Sequence, residues 1–68
     1  MKKLIKKGFL KVNDVFYNEN CTIRKVLKKS GDGYWKIENQ GKLYFTETLD
    51  EEELFNILSK LLNWEQEN

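Results

Sequence analysis

Apolar side chains recur along this chain with two periods, and the change between them divides it. Leu54, Phe55, Ile57, Leu58, Leu61, Leu62 and Trp64 fall within about half of a helical circumference, while Glu52, Glu53, Asn56, Ser59, Lys60 and Asn63 take the rest. That spacing predicts an amphipathic helix over about 50–64. Its start is marked twice, because Thr48 with Glu51 and Asp50 with Glu53 both have capping-box spacing. The early acids also suit the positive end of the helix macrodipole.

Residues 8–49 have no helical period longer than two turns and read instead as short strands between turn residues. Gly8 to Val12 and Asp14 to Tyr17 meet at Asn13-Asp14, and the polar loop Asn18-Glu19-Asn20 follows. Ser30-Gly31-Asp32-Gly33 separates Cys21 to Lys29 from Tyr34 to Glu38, and its glycines admit the positive φ of a hairpin loop. Asn39-Gln40-Gly41-Lys42 makes a second turn into Leu43 to Thr48. Alternation predicts Trp35 and Ile37 on one face, with Leu43, Phe45 and Leu49 on another that meets the helix. Ile23, Val26 and Leu27 break alternation near Lys25, which predicts a β-bulge. Met1, Leu4 and Ile5 fit one helical turn whereas Phe9 and Leu10 fit a strand, so residues 1–7 stay unassigned.

The expected fold is therefore α+β and a single domain over residues 1–68. It is a small antiparallel β-meander, or a partly closed SH3-like barrel, of four or five strands with one C-terminal amphipathic helix. The stretch Leu10-Lys11-Val12-Asn13-Asp14-Val15-Phe16 resembles the opening of small SH3-like barrels, where a short apolar strand runs into a Gly-Asp turn; here Asn13 stands in place of the glycine.

Size and composition narrow the class further. Sixty-eight residues with 40% hydrophobic content support one core, close to the size at which small folds need extra support. The lone Cys21 allows no internal disulfide, and no Cys/His pattern suits zinc, so tight packing or a homodimer has to serve. The unpaired thiol and the early interruption of Leu4-Ile5 by Lys6 and Lys7 argue against a signal peptide and for a cytoplasmic location. No stretch reaches the roughly 18 apolar residues of a membrane span, and Asn20-Cys21-Thr22 reads as a chance glycosylation triplet. Lys, Asn, Glu, Ile and Leu are abundant, with no Ala, Pro or His, as in an AT-rich coding sequence; that suits a phage or mobile-element accessory gene.

Charge adds a polarity that the net +1 conceals. Through Thr46 there are eleven bases against four acids, a surplus of +7; from Glu47 onward one base faces seven acids, which makes −6. With no His, and no base to serve Cys21, the chain reads as a non-enzyme without cofactor or metal. Glu51, Glu52 and Glu53 point about 100° apart on a helix and do not converge on an ion.

Binding is the function class left. One expectation is a regulator or inhibitor that meets a basic protein surface, such as that of a nucleic-acid-processing enzyme, through Asp50, Glu51, Glu53 and Trp64. A second is single- or double-stranded nucleic acid held by Lys11, Arg24, Lys25, Lys28 and Lys29, with Tyr34 as a stacking platform. A third is a small structural homo-oligomer.

Overall fold

The computed structural model describes residues 2–64. In chain order its elements are α1 (Lys2–Lys6), β1 (Leu10–Val12), β2 (Val15–Tyr17), β3 (Cys21–Leu27), β4 (Gly33–Asn39), β5 (Lys42–Phe45) and α2 (Glu51–Leu61). The strands form one antiparallel sheet in the order β1-β2-β3-β4-β5. Of the two expected architectures it is the open meander: β1 and β5 are its edges and do not pair with each other, so the sheet does not close.

Turn chemistry sets the register. Gln40 at φ 51° and Gly41 at φ 81° are both left-handed, as a two-residue type I′ turn requires, and they bring Asn39 opposite Lys42. Asn13, at φ 55°, takes the left-handed place a glycine would fill between Val12 and Val15. Between β3 and β4 the register runs unbroken from Cys21 opposite Asn39 to Leu27 opposite Gly33, so the expected bulge at Lys25 is absent. Alternation fails there because β3 runs beyond the covered part of the sheet. Cys21 and Ile23 are buried, whereas Lys25 and Leu27, next on the same side, are exposed.

That register also decides which side chains meet α2. Phe16, Ile23, Ile37 and Tyr44 stand side by side across β2 to β5, and the first three are buried. Leu54 and Leu58 of α2 are fully buried and join them with Leu4, Phe9, Cys21 and Trp35 in one core. Leu43 and Phe45, expected to face the helix, do not. They flank Tyr44, and because Tyr44 is level with Ile37 they point to the opposite side, where each is half exposed.

Both helices end alike. In α1 the Gly8 and Phe9 N–H groups donate to the Ile5 and Leu4 carbonyls, a Schellman cap with Gly8 left-handed at φ 95°. In α2 the Trp64 N–H donates to the Ser59 carbonyl, with Asn63 left-handed at φ 55°. The helix thus stops at Leu61, short of the expected end at 64. Phe9 and Trp64, each the residue just past its cap, pack edge to face with ring centres 6.2 Å apart. This contact ties the unassigned N-terminal segment, now a short helix, to the end of α2.

At the other end of α2 a buried polar relay joins sheet to helix. The Trp35 N–H donates to Thr46 Oγ1 at 2.7 Å, and that hydroxyl donates to the Thr48 carbonyl at 2.6 Å. The Trp35 indole N–H donates to the Leu49 carbonyl at 3.0 Å. A non-helical segment that would otherwise leave polar groups unpaired against the core is held in place by these bonds.

Candidate functional site

The acids at the start of α2 have local employment. Asp50 is the N-cap, its carboxylate accepting the Glu52 N–H at 3.0 Å. Glu53 reaches back and accepts the Glu47 N–H with both oxygens, at 2.7 and 3.3 Å. Thr48 Oγ1 accepts the Asp50 N–H at 3.2 Å, so neither expected capping box forms as a reciprocal pair. Only Glu51 and Glu52 are left as exposed carboxylates without a bond in this turn. Trp64 is not beside them. It lies past the far end of an 11-residue helix, about 16 Å along the axis, half-buried against Phe9 and Phe55.

The basic residues are dispersed. Arg24 lies on the face of the sheet away from α2, whereas Lys25 lies on the α2 side beside Trp35. Lys28 and Lys29 belong to the β3–β4 loop, and Lys11 sits on the α2 side of edge strand β1, level with Phe16. Several ammonium groups rest over aromatic rings: Lys11 over Phe16, Lys28 over Tyr34, Lys3 over Phe55 and Lys7 over Trp64, at 5.3–6.0 Å from the ring centres. Lys3 and Lys7 therefore lie against the middle of α2 and the residue just past its cap, respectively. Two lysines of the basic part thus rest on aromatic rings of the acidic part.

What the structure gathers instead is the outer face of the sheet, the side α2 leaves uncovered. Two rows cross all five strands. One is Leu10, Tyr17, Thr22, Glu38 and Leu43; the other is Val12, Val15, Arg24, Lys36 and Phe45. Leu10, Val12, Leu43 and Phe45 are between 51% and 60% exposed, and Tyr17 is 36% exposed. Beyond the second row Tyr34 packs edge to face on Phe45, ring centres 5.7 Å apart. An uncovered antiparallel face ordinarily alternates to polar residues. Here both flanks are apolar and only the middle, Thr22, Arg24, Lys36 and Glu38, is polar.

Lys36 and Phe45 are absent from the sites expected from sequence, although Lys36 alternates with the buried Trp35 and Ile37 and so has a readable face. Among the described residues no three His, Cys, Asp or Glu side chains cluster as a metal site would need. Nor is any helix among them long and apolar enough to cross a membrane. In an open concavity lined by Gly8, Asn18, Glu19, Asn20 and Leu62 the Asn18 side-chain oxygen is already taken, accepting the Asn20 and Cys21 N–H groups.

Cys21 is buried and free, and burial alone pushes its thiol up to about 11. Because the folded value is raised above the unfolded one, stability will fall as pH rises past about 9 towards 11, where the unfolded thiol ionises first. At pH 8.5 alkylation by iodoacetamide should be at least about a hundredfold slower in the native protein than in urea. Equal rates would mean that the strand carrying Cys21 opens freely.

No protein-family model matches the chain, and neither a curated protein nor a solved structure matches it significantly. The class the fold defines is a small α+β domain: a five-stranded antiparallel meander covered on one side by a C-terminal helix.

Proposed function

We propose that this protein is a non-catalytic protein-binding module that makes contact through the outer face of its sheet. The supporting observation is the exposed apolar surface of Leu10, Val12, Tyr17, Leu43 and Phe45 on that one face. A chain this small leaves such area in water at a cost in both folding and solubility, and exposed apolar area gathered on one face of a small domain is characteristic of interaction sites. The acid cluster at α2 is the weaker candidate, because Asp50 and Glu53 already hold the helix start. A regulator or inhibitor would use such a face by covering part of its target, which requires no chemistry of its own.

Nucleic-acid binding is the second reading, and what favours it is specific: Arg24, Lys36, Tyr34 and Phe45 share the same face. Against it stand Glu38 in the middle of the surface and aliphatic side chains at both flanks, which neither bind phosphate nor stack on bases.

Capture from a nuclease-treated lysate of the source cell or its host, with wild-type protein and two double variants, separates the readings. Leu43→Lys with Phe45→Lys should abolish capture, whereas Glu51→Lys with Glu52→Lys should leave it intact. The reverse pattern would move the contact to the start of α2. Capture that disappears with nuclease, and falls steeply with salt beforehand, would replace a protein partner by nucleic acid.

A further inference from the structure

The occupant of the outer face can be read from its own pattern, on the premise that this face is the contact surface. The two rows differ in a complementary way. Strand by strand from β1 to β5, the first carries Leu10, Tyr17, Thr22, Glu38 and Leu43, and the second Val12, Val15, Arg24, Lys36 and Phe45. A two-fold axis lying between two such faces, running across the strands midway between the rows, superposes each row on the other. Leu10 then faces Val12 of a second copy, Tyr17 faces Val15, Leu43 faces Phe45, and Glu38 faces Lys36, every contact made twice. We infer that the occupant is a second copy of this chain, packed sheet to sheet as an isologous dimer.

A second observation points to an incoming carboxylate. Arg24 and Lys36 are direct cross-strand neighbours within one molecule, an arrangement of like charges that disfavours the sheet. In the two-fold arrangement Glu38 of the other copy lies opposite Lys36 and diagonal to Arg24, adding a second carboxylate to the one that Glu38 of the same chain already places diagonal to Arg24. A phosphate backbone would supply charge as well, but it would meet Glu38 and leave the aliphatic flanks in water. Five strands spaced about 4.8 Å apart, each contributing two or three outward residues, bury on the order of 500 Å² per copy. Doubled, that is the low end of specific interfaces, so the dimer should be reversible and depend on concentration.

The test uses the full chain and three samples in sedimentation equilibrium: Lys36→Glu, Glu38→Lys, and their equimolar mixture, each compared with wild type. Wild type should dimerise. Either variant alone places like charges opposite each other twice, and its dimer should weaken by about a hundredfold. The mixture should restore dimers. In the mixed pair the carboxylate introduced by Lys36→Glu faces the ammonium introduced by Glu38→Lys, and the native Glu38 of the first variant faces the native Lys36 of the second. Both positions are on the outer face away from the core, and circular dichroism matching wild type confirms folding.

A monomeric wild type at millimolar concentration, variants as dimeric as wild type, or no rescue in the mixture each overturns the inference. If wild type is monomeric while Leu43→Lys with Phe45→Lys still abolishes lysate capture, the face stands and its occupant is a different protein. If dimers form and survive those same two lysines, the face itself is wrong. Retention of wild type on a DNA column, lost in Lys36→Glu and strengthened in Glu38→Lys, would assign the surface to nucleic acid instead.

Discussion

Replacing Gly33 by alanine should lower stability by about 3 kcal/mol, enough to leave much of the population unfolded. Gly33 opens β4 opposite Leu27 and is buried. A Cβ there would run into the Val26 carbonyl oxygen, with the Leu49 Cδ1 only 3.2 Å away. A side chain in the way can rotate; the Val26 carbonyl belongs to a backbone held in seven consecutive cross-strand pairs, so relief requires breaking the end of the central hairpin. Gly31, two residues earlier, is the control. Nothing lies within 4 Å of a Cβ built there, and only its left-handed φ of 94° opposes alanine, which costs about 1 kcal/mol. Urea unfolding of the two variants should therefore rank Gly33→Ala well below Gly31→Ala. Equal midpoints would mean that the β3–β4 hairpin yields without penalty.

The second large effect belongs to the helix. Leu54→Ala should cost about 3 kcal/mol, since its side chain is fully buried against the sheet and its removal leaves a cavity under α2. Leu61→Ala, on the same apolar stripe but only half-buried, should cost about 1 kcal/mol, because water replaces part of what is lost. Total stability expected for 68 residues is on the order of 3–10 kcal/mol, so the first variant sits at the edge of folding and the second does not. Thermal melts distinguish them. Similar losses would show that α2 is anchored evenly along its length rather than at its buried centre.

These contrasts show where sequence pattern is informative. The helical stripe, the five strands and the turn at Gln40-Gly41 are legible because each depends on neighbours a few residues apart: periodicity, β-branched and aromatic content, and residues that tolerate positive φ. Periodicity carries the helix too far because Asn63 fits its polar face, whereas in the fold Asn63 is the left-handed cap that ends it. Broken alternation at Lys25 suggests a bulge, and the actual cause is where coverage of the sheet ends. Gly33 reads as one of two turn glycines; that the Val26 backbone lies against it is a property of paired strands.

The candidate surface shows the same division. Asp50, Glu51 and Glu53 stand out as a charge run, and their nearness to the helix start is readable. That Glu53 and Asp50 are bound to the Glu47 and Glu52 N–H groups is visible only in the folded chain. Lys3 and Lys7 belong to the basic part of the sequence, yet folding places them over Phe55 and Trp64 of the acidic part.

Local order in the chain is enough to specify an α+β meander with a terminal helix, since hydrogen-bonding partners in hairpins and helices are near in sequence. Which side of the sheet α2 covers is a different kind of fact. Leu43, Tyr44 and Phe45 are all apolar or aromatic, and a register shifted by one residue would have buried the outer two and exposed the middle one. Only the registers that align Phe16, Ile23, Ile37 and Tyr44 in one row, under a helix that arrives later in the chain, left Leu10, Val12, Tyr17, Leu43 and Phe45 together on the outer face.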